Sequence, residues 1–194
     1  MTLLELLRVE TRPAHRALEA ELDLMRPDLG LAEYRRCLAR FYGFYRPLEG
    51  RIFDSGIVDW TAVGLDPGER RKTGWLEEDL AELGIDSTVL PCCTDLPGLE
   101  HAAAVFGSLY VLEGATLGGR VISRHLQATL GIGPATGARF HYGYGASGPA
   151  AWQSFRSVLV AYSSSLHDRR LIIDSACATF ESLRRWCHQE RDSK

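Results

Sequence analysis

The sequence has little of what marks the specialised classes of protein chain. Its 194 residues carry a formal net charge of only −3, so no basic field advertises a nucleic-acid partner. A charged fraction of 24% and a hydrophobic fraction of 45% exclude disordered and collagen-like chains. The cysteines are five, an odd number, at Cys37, Cys92, Cys93, Cys177 and Cys187, with no C-x-x-C pair. Cys92 and Cys93 are adjacent and poorly placed to bridge each other, which argues against a disulfide scaffold or zinc cluster and for reduced thiols in the cytoplasm. The first sixteen residues, MTLLELLRVETRPAHR, have no basic n-region and no unbroken apolar core, so no signal peptide is expected. No window is read as holding the roughly 18 uncharged apolar residues that a membrane span needs. Period-2 strands, internal repeats and low-complexity segments are absent. So are H-E-x-x-H and Glu-x-x-His, which disfavours a di-iron carboxylate bundle. No G-x-G-x-x-G lies at a strand–helix junction, so electrons for any redox chemistry must come from outside.

Helical periodicity fills the space those absences leave. Thr2 and Glu5 form a capping-box pair in front of Leu3, Leu4, Leu6 and Leu7. Pro13 has no N–H for Val9, so this helix kinks there or a new one starts near Arg12. Leu18, Leu22 and Met25 continue the apolar stripe. Residues 31–53 place Leu31, Tyr34, Leu38, Phe41, Tyr45, Leu48 and Ile52 mostly three or four apart, with Pro47 expected to bend the helix. Asp66-Pro67 and Gly84 bracket another predicted helix over 66–83, carrying Trp75, Leu76, Leu80 and Leu83. A long helix is expected from about Leu99 to Leu130, then a Gly/Pro-rich loop, GIGPATGARFHYGYGASGPA, and two helices near 150–166 and 169–187. The expectation is a single all-α domain over 1–194, a bundle of six to seven helices, with residues 1–2 and 190–194 frayed.

Two features are candidates for chemistry. The long helix contains Gly107, Gly114, Gly118 and Gly119, and each interior glycine costs about 0.5–1 kcal/mol relative to alanine. Gly114-x-x-x-Gly118-Gly119 bares a strip of backbone, onto which either a neighbouring helix or a flat ligand can press. His15 has Glu19 one turn on, an acceptor that could fix its tautomer and aim the other nitrogen at a metal. By spacing alone such a pair is more often a solvated His–Glu contact.

The segments RVETRPAHRALE (8–19), FYGFYRPLE (41–49), RKT with LEEDL (71–80) and GSLYVLEGATLGG (107–119) occur in that order, and together the chain resembles the heme oxygenase family. The likeness is greatest to the bacterial, bacteriophytochrome-associated branch. It implies the family's helical bundle and heme as both cofactor and substrate. With O2 as co-substrate and electrons from a reductase or ferredoxin, heme is cleaved to biliverdin, CO and Fe2+, with a bacteriophytochrome as possible bilin acceptor. It implies His15 as iron ligand and Glu19 as its orienting partner. Gly114, Gly118 and Gly119 become the glycines of the distal helix, and Phe180 a neighbour of the pocket. Arg8 and Arg156 become the cations for the propionates. The chain departs from the pattern of many members at Ala115, where they carry an aspartate that organises distal water. Glu113 is about 100° round the helix from Gly114. Other readings left open are a heme carrier or sensor without catalysis, a fold relative using Cys37 or Glu113 as a reactive group, and a structural bundle.

Overall fold

The protein is described by a computed structural model that covers the backbone of residues 1–192 and side chains through position 188. The described residues form helices and no strands. In chain order they are α1 (Leu3–Glu10), α2 (Arg12–Leu22), α3 (Leu31–Phe53), α4 (Trp60–Val63), α5 (Pro67–Arg70), α6 (Thr73–Glu82), α7 (Ala102–Leu130), α8 (Arg139–Tyr142), α9 (Gly148–Tyr162) and α10 (Leu166–Asp192). Seven of these, α1, α2, α3, α6, α7, α9 and α10, have eight residues or more, in line with the expected all-α bundle.

The Thr2–Glu5 capping box forms, with both reciprocal hydrogen bonds present, so residue 2 is fixed as a cap and is not frayed. At the C-terminus α10 continues to Asp192, past the point where fraying was expected to begin; residues 193 and 194 lie outside the described residues. Pro13 sits in the first turn of α2, where its missing N–H leaves no bond unmade. The chain therefore breaks at Thr11 and starts a new helix at Arg12.

The core is built on α7, which packs along α10 and touches α8 and α9. Val105, Phe106, Leu109 and Leu112 of α7 are buried, as are Ile172, Ala176 and Leu183 of α10. Bare backbone at Gly107 lets the carbonyl of Ile172 approach; a Cβ there would collide with it. Beside that contact, Ser108 Oγ lies 2.8 Å from Thr179 Oγ1 and Ser175 Oγ donates to the Ala104 carbonyl at 2.7 Å. These bonds satisfy hydroxyls that would otherwise be stranded. By length and mean hydropathy (1.2) α7 could cross a membrane, contrary to the expectation that no segment could, but 61% of that window is buried inside the molecule. Its apolar composition is that of a central core helix.

Helix α3 carries Tyr34, Leu38, Phe44, Tyr45, Leu48 and Ile52 inward and packs on α6 and α10. The helix expected over 66–83 is two helices, with Asp66 capping α5 as read. They part at Arg71 and Lys72 because the backbone N–H groups of Lys72 and Thr73 are taken by the buried carboxylate of Glu49, at 2.7 and 3.0 Å. The stretch read as pure loop contains α8, whose first N–H groups, on Arg139 and Phe140, are accepted by Asp79 at 2.6 and 2.8 Å.

Candidate functional site

Helix α2 packs on α10, and the chain just before it and just after it comes close to α7. At one end Tyr110 of α7 lies against Thr11 and the Arg8 guanidinium, which partly offset the upward push that burial gives its hydroxyl. At the other end His125 Nε2 lies 3.0 Å from the carbonyl of Arg26. Between these two contacts α2 and α7 bound the candidate cleft. One turn past Thr11 comes His15, and one turn past Tyr110 comes Gly114. One turn further on each helix are Glu19 and Gly118.

Both glycines face open space: a Cβ built on Gly114 or Gly118 meets no atom within 4 Å. Among the described residues their bareness therefore serves no helix–helix contact. Leu117 and Val121, 43% and 54% exposed, extend the same face as exposed apolar positions, the wall expected of a cleft for a flat hydrophobic ligand. Gly119 is different. A Cβ there would collide with the His141 carbonyl, so the bareness of Gly119 admits α8.

His15 projects from α2 with its side chain 51% exposed, and its Nδ1 is 3.5 Å from Glu19 Oε2. Phe180 of α10 sets its ring edge-on to the imidazole, centroids 5.3 Å apart at 81°, and so limits how the ring can turn. Among the described residues Nε2 makes no hydrogen bond, which leaves it available to a metal. The described residues contain no cluster of three or more His, Cys, Asp or Glu able to hold a metal by themselves. A group that brings its own equatorial ligands, as a porphyrin does, is what a single histidine suits. Heme fits what is present: one available imidazole nitrogen, exposed apolar side chains beside bare backbone, and arginines in the vicinity.

Those cations are not all in one place. Arg8 is exposed beside Tyr110, at the closed end of the cleft. Arg156 lies on α9 one turn beyond Trp152, whose ring is 5.7 Å from that of Tyr110. It lines a groove of about 810 Å³ with Leu3, Leu4, Glu5 and Arg169, and among the described residues its buried Nε has no hydrogen-bond partner. Tyr110 was missed from the sequence, although its place four residues before Gly114 puts it on the same face.

Glu113 points away from the cleft. It is fully buried and accepts from Lys72 Nζ at 2.7 Å, Tyr144 Oη at 2.9 Å and Arg70 Nη1 at 3.0 Å. It is therefore closed to substrate, and Ala115, exposed beside Gly114, brings no polar atom. His141 was read as a loop residue and is buried. Among the described residues its Nε2 has no hydrogen-bond partner, and with rings of Phe140, Tyr34 and Phe41 around it burial depresses its pKa to about 3.

A family profile described as heme oxygenase matches residues 1–189. A heme oxygenase of Xanthomonas campestris pv. campestris (strain 8004) is 38% identical over 133 residues, covering 66% of this chain and 75% of that one. Among solved structures, the NO- and CO-bound heme oxygenase from Neisseria meningitidis superposes with a TM-score of 0.81 at 19% identity, over 97% of this chain and 92% of that one. Heme oxygenase-1 of Synechocystis sp. PCC 6803, in complex with heme, gives 0.74 at 15% identity, over 97% and 92%. With the profile spanning nearly the whole sequence and the fold agreeing, this chain belongs to the heme oxygenase family.

Proposed function

We propose that the α2–α7 cleft is where this chain binds heme and cleaves it to biliverdin, CO and Fe2+, with His15 as the iron ligand. The observation that carries the assignment is the pairing of an available His15 Nε2 with two glycines, one turn apart on α7, whose open side no described residue fills. Heme bound there supplies the iron that activates O2 and the ring that is opened, while the protein supplies ligand, orientation and proton access.

Glu19 holds His15 Nδ1 and so presents Nε2 to the cleft, and Phe180 restrains the ring. Gly114 and Gly118 let the α7 backbone lie directly against the ligand, leaving water access only at the edge of that face. Arg8 and Tyr110 at the closed end, with Arg156 beyond them, offer charge and hydrogen bonds to the two propionates. Ala115 holds no proton, so protons reach this face through water admitted at the exposed edge near Gly118. The electron donor docks from outside as a reductase or ferredoxin, and the bacteriophytochrome-associated branch makes a phytochrome the bilin acceptor. Reduced thiols at Cys92, Cys93 and Cys177 suit a cytoplasmic setting.

The test is an absorption titration with hemin of wild type and His15→Ala, followed by an electron donor in air. Stoichiometric binding with an intense Soret band, altered in the variant, and then loss of that band with a bilin product are expected. A stable heme complex that yields no bilin would make the chain a carrier, and a protein with no stoichiometric binding would end the cleft assignment.

A further inference from the structure

We infer that Glu113 is a positioning residue for the reaction: clamped by Lys72 and Arg70, it sets the rotation and height of the Gly114–Gly118 strip over the cleft. The inference rests on the heme cleft proposed above. A helix with glycines at 114, 118 and 119 is soft where the ligand must press on it, and something must hold that stretch.

Two clamps do so, one at each end. Gly119 seats against the His141 carbonyl of α8, and α8 is tied to α6 through Asp79. Glu113, immediately before Gly114, is tied in the other direction to the α5–α6 connector. There Lys72 Nζ donates to the Arg70 carbonyl at 2.8 Å and to Glu113 Oε1 at 2.7 Å, with Tyr144 Oη 3.4 Å away. Arg70 Nη1 spans from Glu113 to the carbonyl of Ala151 on α9, 3.0 Å each way. The connector is anchored in turn by Glu49 of α3. One carboxylate on α7 thereby links α3, α5, α6, α9 and the turn bearing Tyr144.

Stability alone does not account for this arrangement. Glu113 is 0% exposed and Lys72 1%, and buried charge of this kind is commonly matched or bettered by apolar residues of similar volume. What an apolar patch lacks is direction: three donors converging on two oxygens define where residue 113 sits, which greasy contact does not. Lys72 is one of only two lysines in an arginine-rich chain, and the compact ammonium suits a point where three acceptors converge.

The experiment loads wild type, Lys72→Met and Tyr144→Phe with hemin and titrates each ferric complex with base. The C–O stretch of each ferrous CO complex is then recorded. Val58→Ala, a core truncation outside the clamp, controls for loss of stability. Wild type must bind hemin stoichiometrically; failure there overturns the cleft reading itself. Given binding, Lys72→Met is expected to bind stoichiometrically too, to shift the acid–alkaline midpoint by about half a pH unit or more, and to broaden the C–O band. Tyr144→Phe should move both in the same direction by less, and Val58→Ala neither. Wild-type spectra in both clamp variants, whatever their melting temperatures, would overturn the inference, as would an equal shift in Val58→Ala. Should Lys72→Met fail to fold, Tyr144→Phe against Val58→Ala decides it alone.

Discussion

Four glycines on one helix do two different jobs, and the atoms nearest each one separate them. Gly107 and Gly119 are bare because a carbonyl oxygen, of Ile172 and of His141, occupies the place of a side chain. Gly114 and Gly118 are bare with nothing of the protein opposite. Alanine substitution should therefore have opposite signs on the unliganded protein. Gly114→Ala and Gly118→Ala relieve a backbone-entropy penalty and should raise stability by about 0.5–1 kcal/mol, while weakening hemin binding. Gly119→Ala forces α7 and α8 apart and should lower stability by about 1–3 kcal/mol. Urea denaturation of the apoproteins checks both, and a destabilised Gly114→Ala would mean that the strip is packed in solution. The spacing of the glycines was legible in the sequence; the division of labour was not, because it depends on carbonyls 22 and 65 residues away along the chain.

Elements were legible in proportion to how locally they are specified. The apolar period over 31–53 coincides with α3, and the Thr2–Glu5 and Asp66 caps sit where read, because the partners lie within one turn. The break between α5 and α6 was hidden, since it is made by Glu49 and Glu113, far away in sequence. Helix α8 was hidden too: its sequence, RFHY amid glycines, has no propensity to form without Asp79. That dependence has a pH signature. Burial raises the Asp79 carboxyl to about 6, against the two backbone hydrogen bonds and the Arg139 charge that lower it. Between the unfolded value near 4 and about 6, the folded state binds more protons than the unfolded one, so this group's contribution to stability falls as pH rises. Wild-type stability measured against Asp79→Asn should drop across that window by up to about 1.4 kcal/mol per pH unit. A difference that is flat with pH would place Asp79 in a more hydrated site.

At the scale of the whole molecule, rigidity and openness are distributed unequally around the cleft. Helix α7 is buried along most of its N-terminal half and α10 braces it, whereas α2, which brings His15, buries only Leu18 within its own span. The wall bearing the proposed ligand thus fully buries little of its own surface and rests mainly on α10, and elements with few buried side chains open at lower free-energy cost. Heme seated between His15 and the glycines would join α2 to α7 across a gap the protein leaves unfilled. The family signature was legible in the sequence because its motifs are local runs. The cleft was not, because it is defined by the two contacts that end it, Thr11 with Tyr110 and Arg26 with His125. Ligand-induced closure should appear in hydrogen exchange. With hemin at about a hundred times Kd, a stabilisation of about 2.7 kcal/mol is available, so amides of α2 should slow by up to about a hundredfold. Amides in Ala103–Leu112 of α7 should change little, and His15→Ala should abolish the α2 effect. Protection spread evenly over all helices would instead mean that heme stabilises the fold as a whole without closing α2 onto α7. An unchanged α2 would place heme outside this cleft.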